Sequence, residues 1–217
     1  MEHSIKHILR AQDLFSSLRH EDEQNQDRKF VTSETSGLAS LIKGFHELII
    51  SDITLDKLYT SEGINKKIFD FVPKDYSNED IQNLMEKLLN NGSENIFPDN
   101  IDSYIDCVFL NYSGKEIIID PSRFKRDYNF GALNQGKIII VNGDCGDHTG
   151  VLMDFGKIIV NGNAGMLVGN MMKGGEIYLN KDYIGISCHI RGGNIYHKGT
   201  QIIKDGKPVP GAEIKWR

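Results

Sequence analysis

The stretch that decides the fold runs GKIIIVNGDCGDHTGVLMDF (136–155), GKIIVNGNAGMLVGNMMKG (156–174), GEIYLNKDYIGISCHIRG (175–192) and GNIYHKGT (193–200). Its four opening glycines, Gly136, Gly156, Gly175 and Gly193, lie 20, 19 and 18 residues apart. A period near 19 with an aliphatic core and recurring glycines predicts a solenoid, in which each coil stacks on the last at strand spacing. Upstream, Gly114-Lys115-Glu116-Ile117-Ile118-Ile119-Asp120 reads as a degenerate earlier coil, for an array of four to five.

Periodicity predicts columns. Ile138, Ile158, Ile177 and Ile195 are expected in one inward column, and Met153, Met172 and Ile190 in another. Asn142, Asn161 and Asn180 form a third, a ladder that exchanges side-chain amide hydrogen bonds between coils. Gly143 and Gly162 follow the first two rungs and suit a bend needing positive φ. Lys181 interrupts that glycine column, at a cost on the order of 1 kcal/mol if the position is left-handed. Gly146 and Gly165, and likewise Gly150 and Gly169, read as corners where a β-carbon would crowd the next turn. A phosphate loop would need a strand-to-helix context with a following Lys-Ser or Lys-Thr pair, and repetition speaks against one special loop. Lys137, Lys157 and Glu176 align as a solvated strand face.

The pattern G-x-I-x-V-x-G-(D/N)-A-G-x-x-x-G-x-x-M-x-x-G is met by Gly156, Ile158, Val160, Gly162, Asn163, Ala164, Gly165, Gly169, Met172 and Gly175. The preceding coil meets it with Gly143, Asp144, Gly146, Gly150, Met153 and Gly156, but has Cys145 in the alanine position and one extra strand residue. Over residues 130–200 the chain thus resembles the GXGXG β-helix family, found in the C-terminal domain of the glutamate synthase large subunit and in the β-helical subunit of formylmethanofuran dehydrogenase. The resemblance implies a packing and assembly module, with flavin, iron–sulfur, metal and glutaminase chemistry housed in other domains or subunits. Nothing else in the chain is similar to those other domains.

The densest polar cluster is Asp144, Cys145, Asp147 and His148, a thiol, an imidazole and two carboxylates within five residues. Such groups are the raw material of a metal or nucleophile site. Against that, Asp144, Cys145 and Gly146 belong to the repeating turn, and Cys188-His189 falls at different coil positions. His197 occupies an apolar column position. An esterase elbow is not met by Gly185-Ile186-Ser187-Cys188-His189, which lacks the second glycine. A polysaccharide-cleaving β-helix would need like charges aligned across coils, and a hexapeptide acyltransferase an aliphatic period of six.

The first hundred residues differ in composition. They hold only 4 of the 22 glycines, and 18 acidic against 11 basic residues, whereas the remainder has 12 against 14. Segments 4–19 and 78–91 show helical spacing, the second with Asn78 as its cap, and 36–50 and 64–72 do so more weakly. Residues 20–29 read as a loop. His3, His7, His20 and His46 have no ligand partner at defensible spacing.

The expected fold is therefore a two-part α+β chain, an α-helical domain over 1–104 followed over 105–217 by a short right-handed parallel β-helix with a C-terminal cap. Pro208 and Pro210 in the tail blunt its open edge, and Trp216 anchors the cap or marks a docking surface. Three cysteines without a CxxC pair speak for reduced thiols rather than a disulfide or zinc framework. A net charge of −5 opposes general nucleic-acid affinity. No membrane span or secretory leader is legible, which points to the cytoplasm. The functional expectation is a non-catalytic assembly or partner-binding subunit, engaging a protein partner or its own copies, with no cofactor, no metal and no catalytic residue. The alternatives are a self-assembling filament, and a metal- or thiol-dependent enzyme at Cys145 and His148.

Overall fold

The computed structural model describes residues 36–50, 59–60, 63–64, 66–91, 98–125 and 128–217. The expected helix at 4–19 and loop at 20–29 lie outside them. The chain divides into two compact units, Met1–Asn111 and Tyr112–Arg217.

The first unit holds helices α1 (Ser36–Ile50), α2 (Asn78–Asn91) and α3 (Pro98–Asn111), a two-residue antiparallel ladder of β1 (Tyr59–Thr60) with β2 (Gly63–Ile64), and a 3-10 helix at Lys66–Phe71. Helix α2 is capped by Ser77 rather than Asn78. Asp80 N donates to Ser77 Oγ at 3.1 Å, and Asp80 Oδ2 accepts from Ser77 N at 2.7 Å, a reciprocal box that satisfies two donors. Helix α3 was not expected, and it runs through the anticipated boundary at 104/105. Its buried residues Ile101, Tyr104, Ile105, Val108 and Phe109 keep strict helical spacing. They are aromatic or β-branched and straddle the composition change, so they resemble the start of the strand-rich half. Tyr104 is the keystone of this core. Its hydroxyl donates to Leu41 O at 2.8 Å and Phe71 O at 3.3 Å, and its ring packs 5.3 Å from that of Phe45.

The second unit is a parallel β-solenoid of about four turns. Strands β3 (Glu116–Ile119), β4 (Gln135–Val141), β5 (Phe155–Val160), β6 (Glu176–Leu179) and β7 (Asn194–His197) stack in parallel, each on the next. Ile117, Ile139, Ile158, Ile177 and Ile195 form the buried central column. The member from β4 is Ile139, not Ile138, because a register shift between Gln135 and Ile138 absorbs that coil's extra residue. For the same reason Lys157 and Glu176 align with Ile138, and Lys137 leaves the column. Lys137 Nζ instead donates to the carbonyls of Tyr112 and Gly114. Met153 and Met172 are fully buried, as their column requires.

Between strands the coil turns through two tandem bends. Val151 N donates to His148 O at 2.9 Å with Gly150 at φ +73, and Met153 N to Gly150 O at 3.3 Å with Leu152 at φ +56. The next coil repeats both, with Gly169 at φ +70 and Met171 at φ +55. Left-handed backbone in Leu152 and Met171 costs roughly 1–2 kcal/mol each, sustained by the bonds of the stack. Gly143 and Gly162 are not left-handed, contrary to expectation, and Lys181 carries no such strain, whereas Gly165 is a crowded corner as expected, where a Cβ would meet Asp147 and the Gly146 backbone. Close approach explains Gly162: a Cβ there would overlap the carbonyl carbon and oxygen of Gly143.

The C-terminal end of the stack is closed. Strand β8 (Thr200–Lys204) folds back antiparallel on β7, and β9 (Lys207–Pro208) on β8. Ile203 pairs with Ile195 and extends the isoleucine column. Trp216 then bridges Ile186 in parallel, with Ile186 N donating to Lys215 O at 2.7 Å and Arg217 N to Ile186 O at 2.8 Å. Trp216 is thus the last rung of a ladder that begins at Val168, with its side chain 40% exposed.

Candidate functional site

The polar turn of each coil is where chemistry was to be sought. Asp144 is exposed, and its Oδ1 accepts from Asn163 N at 2.7 Å and from Asn163 Nδ2 at 3.3 Å. Asp147 Oδ1 accepts from Met166 N at 2.6 Å. Each carboxylate therefore terminates on an amide of the following coil. Cys145 points the other way. It is buried, its backbone bridges Ala164, and its Sγ lies 3.1 Å from Thr149 Oγ1, which in turn donates to Gly146 O. His148 is half-buried at φ +60, the conformation that Leu167 adopts one coil later at φ +57, so the position asks for a bend and not for an imidazole. The four candidates thus diverge around the coil. Among the described residues no group of three or more His, Cys, Asp and Glu is placed to hold a metal ion.

The asparagine ladder forms as expected. Asn161 Nδ2 donates to Asn142 Oδ1 at 2.9 Å, and Asn180 Nδ2 to Asn161 Oδ1 at 2.7 Å. Its polarity was not legible in the sequence: Asn142 accepts, Asn161 both donates and accepts, Asn180 donates. A carboxylate can replace an amide only where the amide is an acceptor. Asn161→Ala is expected to cost roughly 1–3 kcal/mol in a urea melt, because it removes the rung that both donates to Asn142 and accepts from Asn180. Asn142→Asp is expected to stay within about 0.5 kcal/mol of the parent chain. Equal costs would contradict the polarity.

Two features escaped the sequence reading. Buried Asn134 clamps the entry to β4, with Oδ1 accepting from Lys137 N and Nδ2 donating to Lys137 O, both at 2.9 Å. The signal was an asparagine two positions before the strand glycine, but the later coils carry Asp154, Lys173 and Arg191 there, so the asparagine does not repeat. The other is the outer face of the sheet. Ile118, Ile140, Ile159, Tyr178 and Tyr196 share a register position whose side chains alternate with the buried columns. Ile138 lies in the adjoining outward column, and Phe155, 56% exposed, lies over Gly136. Charge enters this face only in the column of Ile138, as Glu116 on one side of it and Lys157 and Glu176 on the other. Lys157 Nζ sits 3.1 Å from Glu176 Oε2 and 5.0 Å from the Tyr178 ring, which stacks on Tyr196 at 4.5 Å. A solvated strand face was expected here; Glu116, Lys157 and Glu176 fit that description, whereas Ile118, Ile138, Ile140 and Ile159 do not.

No protein-family model, curated protein or solved structure matches the chain. Among the described residues no helix is long and apolar enough to cross a membrane.

Proposed function

We propose that this chain is a non-catalytic assembly or partner-binding subunit, and that its solenoid offers the outer sheet face to another protein. The observation that carries this reading is the face itself, with Ile118, Ile138, Ile140, Ile159 and Phe155 adjoining on a parallel sheet. Parallel sheets are stable chiefly when both faces are covered, and a contiguous apolar surface is a place of association. Meanwhile the groups with most chemical potential, Asp144, Asp147 and Cys145, are committed to bonds within the stack. The resemblance to the GXGXG module supports the same reading, with other subunits supplying any chemistry, and the coils are taken as right-handed, like nearly all parallel crossovers. A cytoplasmic setting suits the reduced thiols.

Filament growth is the weaker reading. One end of the sheet is the two-residue strand β9 with Pro208, and short proline-bearing edges oppose strand addition.

The test substitutes the face. Ile140→Glu and Ile159→Glu each place a charge on an outward, half-buried position without touching the core. Affinity capture from the native organism, with light scattering of the purified chain, is expected to show a partner or dimer that both variants weaken by roughly 30-fold or more. Melting should be unchanged. Retained association in both variants would overturn the proposal.

A further inference from the structure

Asn142 and Asn161 stand on the exposed corner of the coil, and each is followed by glycine. A glycine nitrogen is an open nucleophile toward the preceding carboxamide, because no β-carbon shields it. Neither Gly143 N nor Gly162 N donates a hydrogen bond among the described residues. The two sites differ in how the asparagine is held. Asn161 is fixed at both ends, its Nδ2 on Asn142 at 2.9 Å and its Oδ1 under Asn180 at 2.7 Å, and the buried Gly162 behind it packs against the Gly143 backbone. Asn142 is fixed only through Oδ1, and no described residue bonds its Nδ2. Its glycine, Gly143, is half-buried against the ring of Pro121.

We propose that Asn142–Gly143 is a modification site at which the chain deamidates itself. Gly143 N attacks Asn142 Cγ and forms a carbon–nitrogen bond. The bond from Cγ to Nδ2 breaks, and the amino group leaves as ammonia with the proton that Gly143 N gives up. Water then opens the five-membered imide at one carbonyl or the other, leaving aspartate or isoaspartate at 142. No oxidant or reductant takes part.

The ladder accommodates the first product. Asn142 serves only as an acceptor, and a carboxylate accepts the Asn161 amide with added strength from its charge. The neighbouring ladder already begins this way, with Asp144 accepting from Asn163. Isoaspartate routes the main chain through the β-carbon and must open the corner. Modification therefore adds a negative charge beside Asp144 and divides the population into a retained and a loosened form.

The experiment follows the full-length chain in mildly alkaline buffer by peptide mapping and mass spectrometry, native and in denaturant. In the native state, product is expected at Asn142 about two- to tenfold faster than at Asn161, the factor for one further hydrogen bond. Asn180, followed by Lys181, should stay unmodified on that timescale. In denaturant the two Asn-Gly rates should converge. Asn180→Ala, which frees Asn161 Oδ1 at an exposed position, should raise the Asn161 rate toward that of Asn142. Equal or inverted native rates overturn the proposal, and so does a native chain unreactive at Asn142 while the denatured chain reacts at both. An Asn161 rate unmoved by Asn180→Ala removes the ladder as the cause.

Discussion

Gly162→Ala is expected to lower the unfolding free energy of the solenoid by about 3 kcal/mol or more, at the upper end of the cost of overpacking a core. The added methyl would overlap Gly143 C and O and crowd Asp144 N. All three are main-chain atoms of the preceding coil, so relief requires separating two coils, not rotating a side chain. Separation strains the rungs on either side, Asn161 to Asn142 and Asn163 to Asp144. Two controls divide the causes. Gly143→Ala meets only the ring of Pro121, 3.0 Å away at Cδ, and should cost less. Gly199→Ala meets nothing within 4 Å but sits at φ +81, so it should cost about 1–2 kcal/mol from backbone conformation alone. Urea denaturation of the three variants checks the order, and a Gly162→Ala cost no larger than that of Gly143→Ala would contradict it.

Alkaline pH is expected to unfold the helical unit through two buried groups. Burial, with a smaller contribution from Asp106, pushes the Cys107 thiol well above its ordinary 9.0. Burial, followed by Tyr76, Cys107 and Glu47, pushes the Tyr104 hydroxyl well above its ordinary 10.0, against a small opposing effect of the Phe45 backbone. Both are held protonated in the folded state, whereas the unfolded chain releases their protons at the ordinary values. A raised folded pKa means stability that is complete below the unfolded value and lost as pH climbs toward the folded one. Stability should therefore hold up to about pH 9.0 and then fall by about 1.4 kcal/mol per pH unit, steepening to twice that above 10.0. Cys107→Ala should delay the onset to the tyrosine limb. Tyr104→Phe should remove that limb, while lowering stability at neutral pH because Leu41 O and Phe71 O lose their donor. Helical circular dichroism against urea at stepped pH measures both, and a flat profile through the thiol range would contradict the assignment.

Much of the solenoid was legible because stacking repeats its demands. Met153 with Met172, and Asn142 with Asn161 and Asn180, occupy like positions in successive coils, and a column in space is a period in sequence. What departs from the period was not legible. The bulge before Ile138 shifted β4 by one residue, so Ile139 took the inward place and Lys137 turned away to two carbonyls. The role of Gly162 was misjudged for a physical reason: positive φ and close backbone approach both select glycine, and sequence cannot separate them. In the helical unit, α3 was missed although Ile101, Tyr104, Ile105 and Val108 keep helical spacing, because β-branched and aromatic residues also suit strands. At the candidate site, the residue types of Asp144, Cys145, Asp147 and His148 were plain but their directions were not. Divergence around a coil is a property of the backbone.

Residue-resolved hydrogen exchange on the full-length chain is the most direct measurement of the stacked-coil architecture. Strand protection alone does not discriminate, so the turn amides decide. Leu133 N, Cys145 N, His148 N, Leu152 N and Ala164 N each donate to the following coil at 2.8–2.9 Å, outside every named strand. Slow exchange at these positions, recurring at the 19-residue interval that separates Leu133 from Leu152 and Cys145 from Ala164, is the predicted result. Turn amides that exchange at free-chain rates while the strands remain protected would contradict the solenoid.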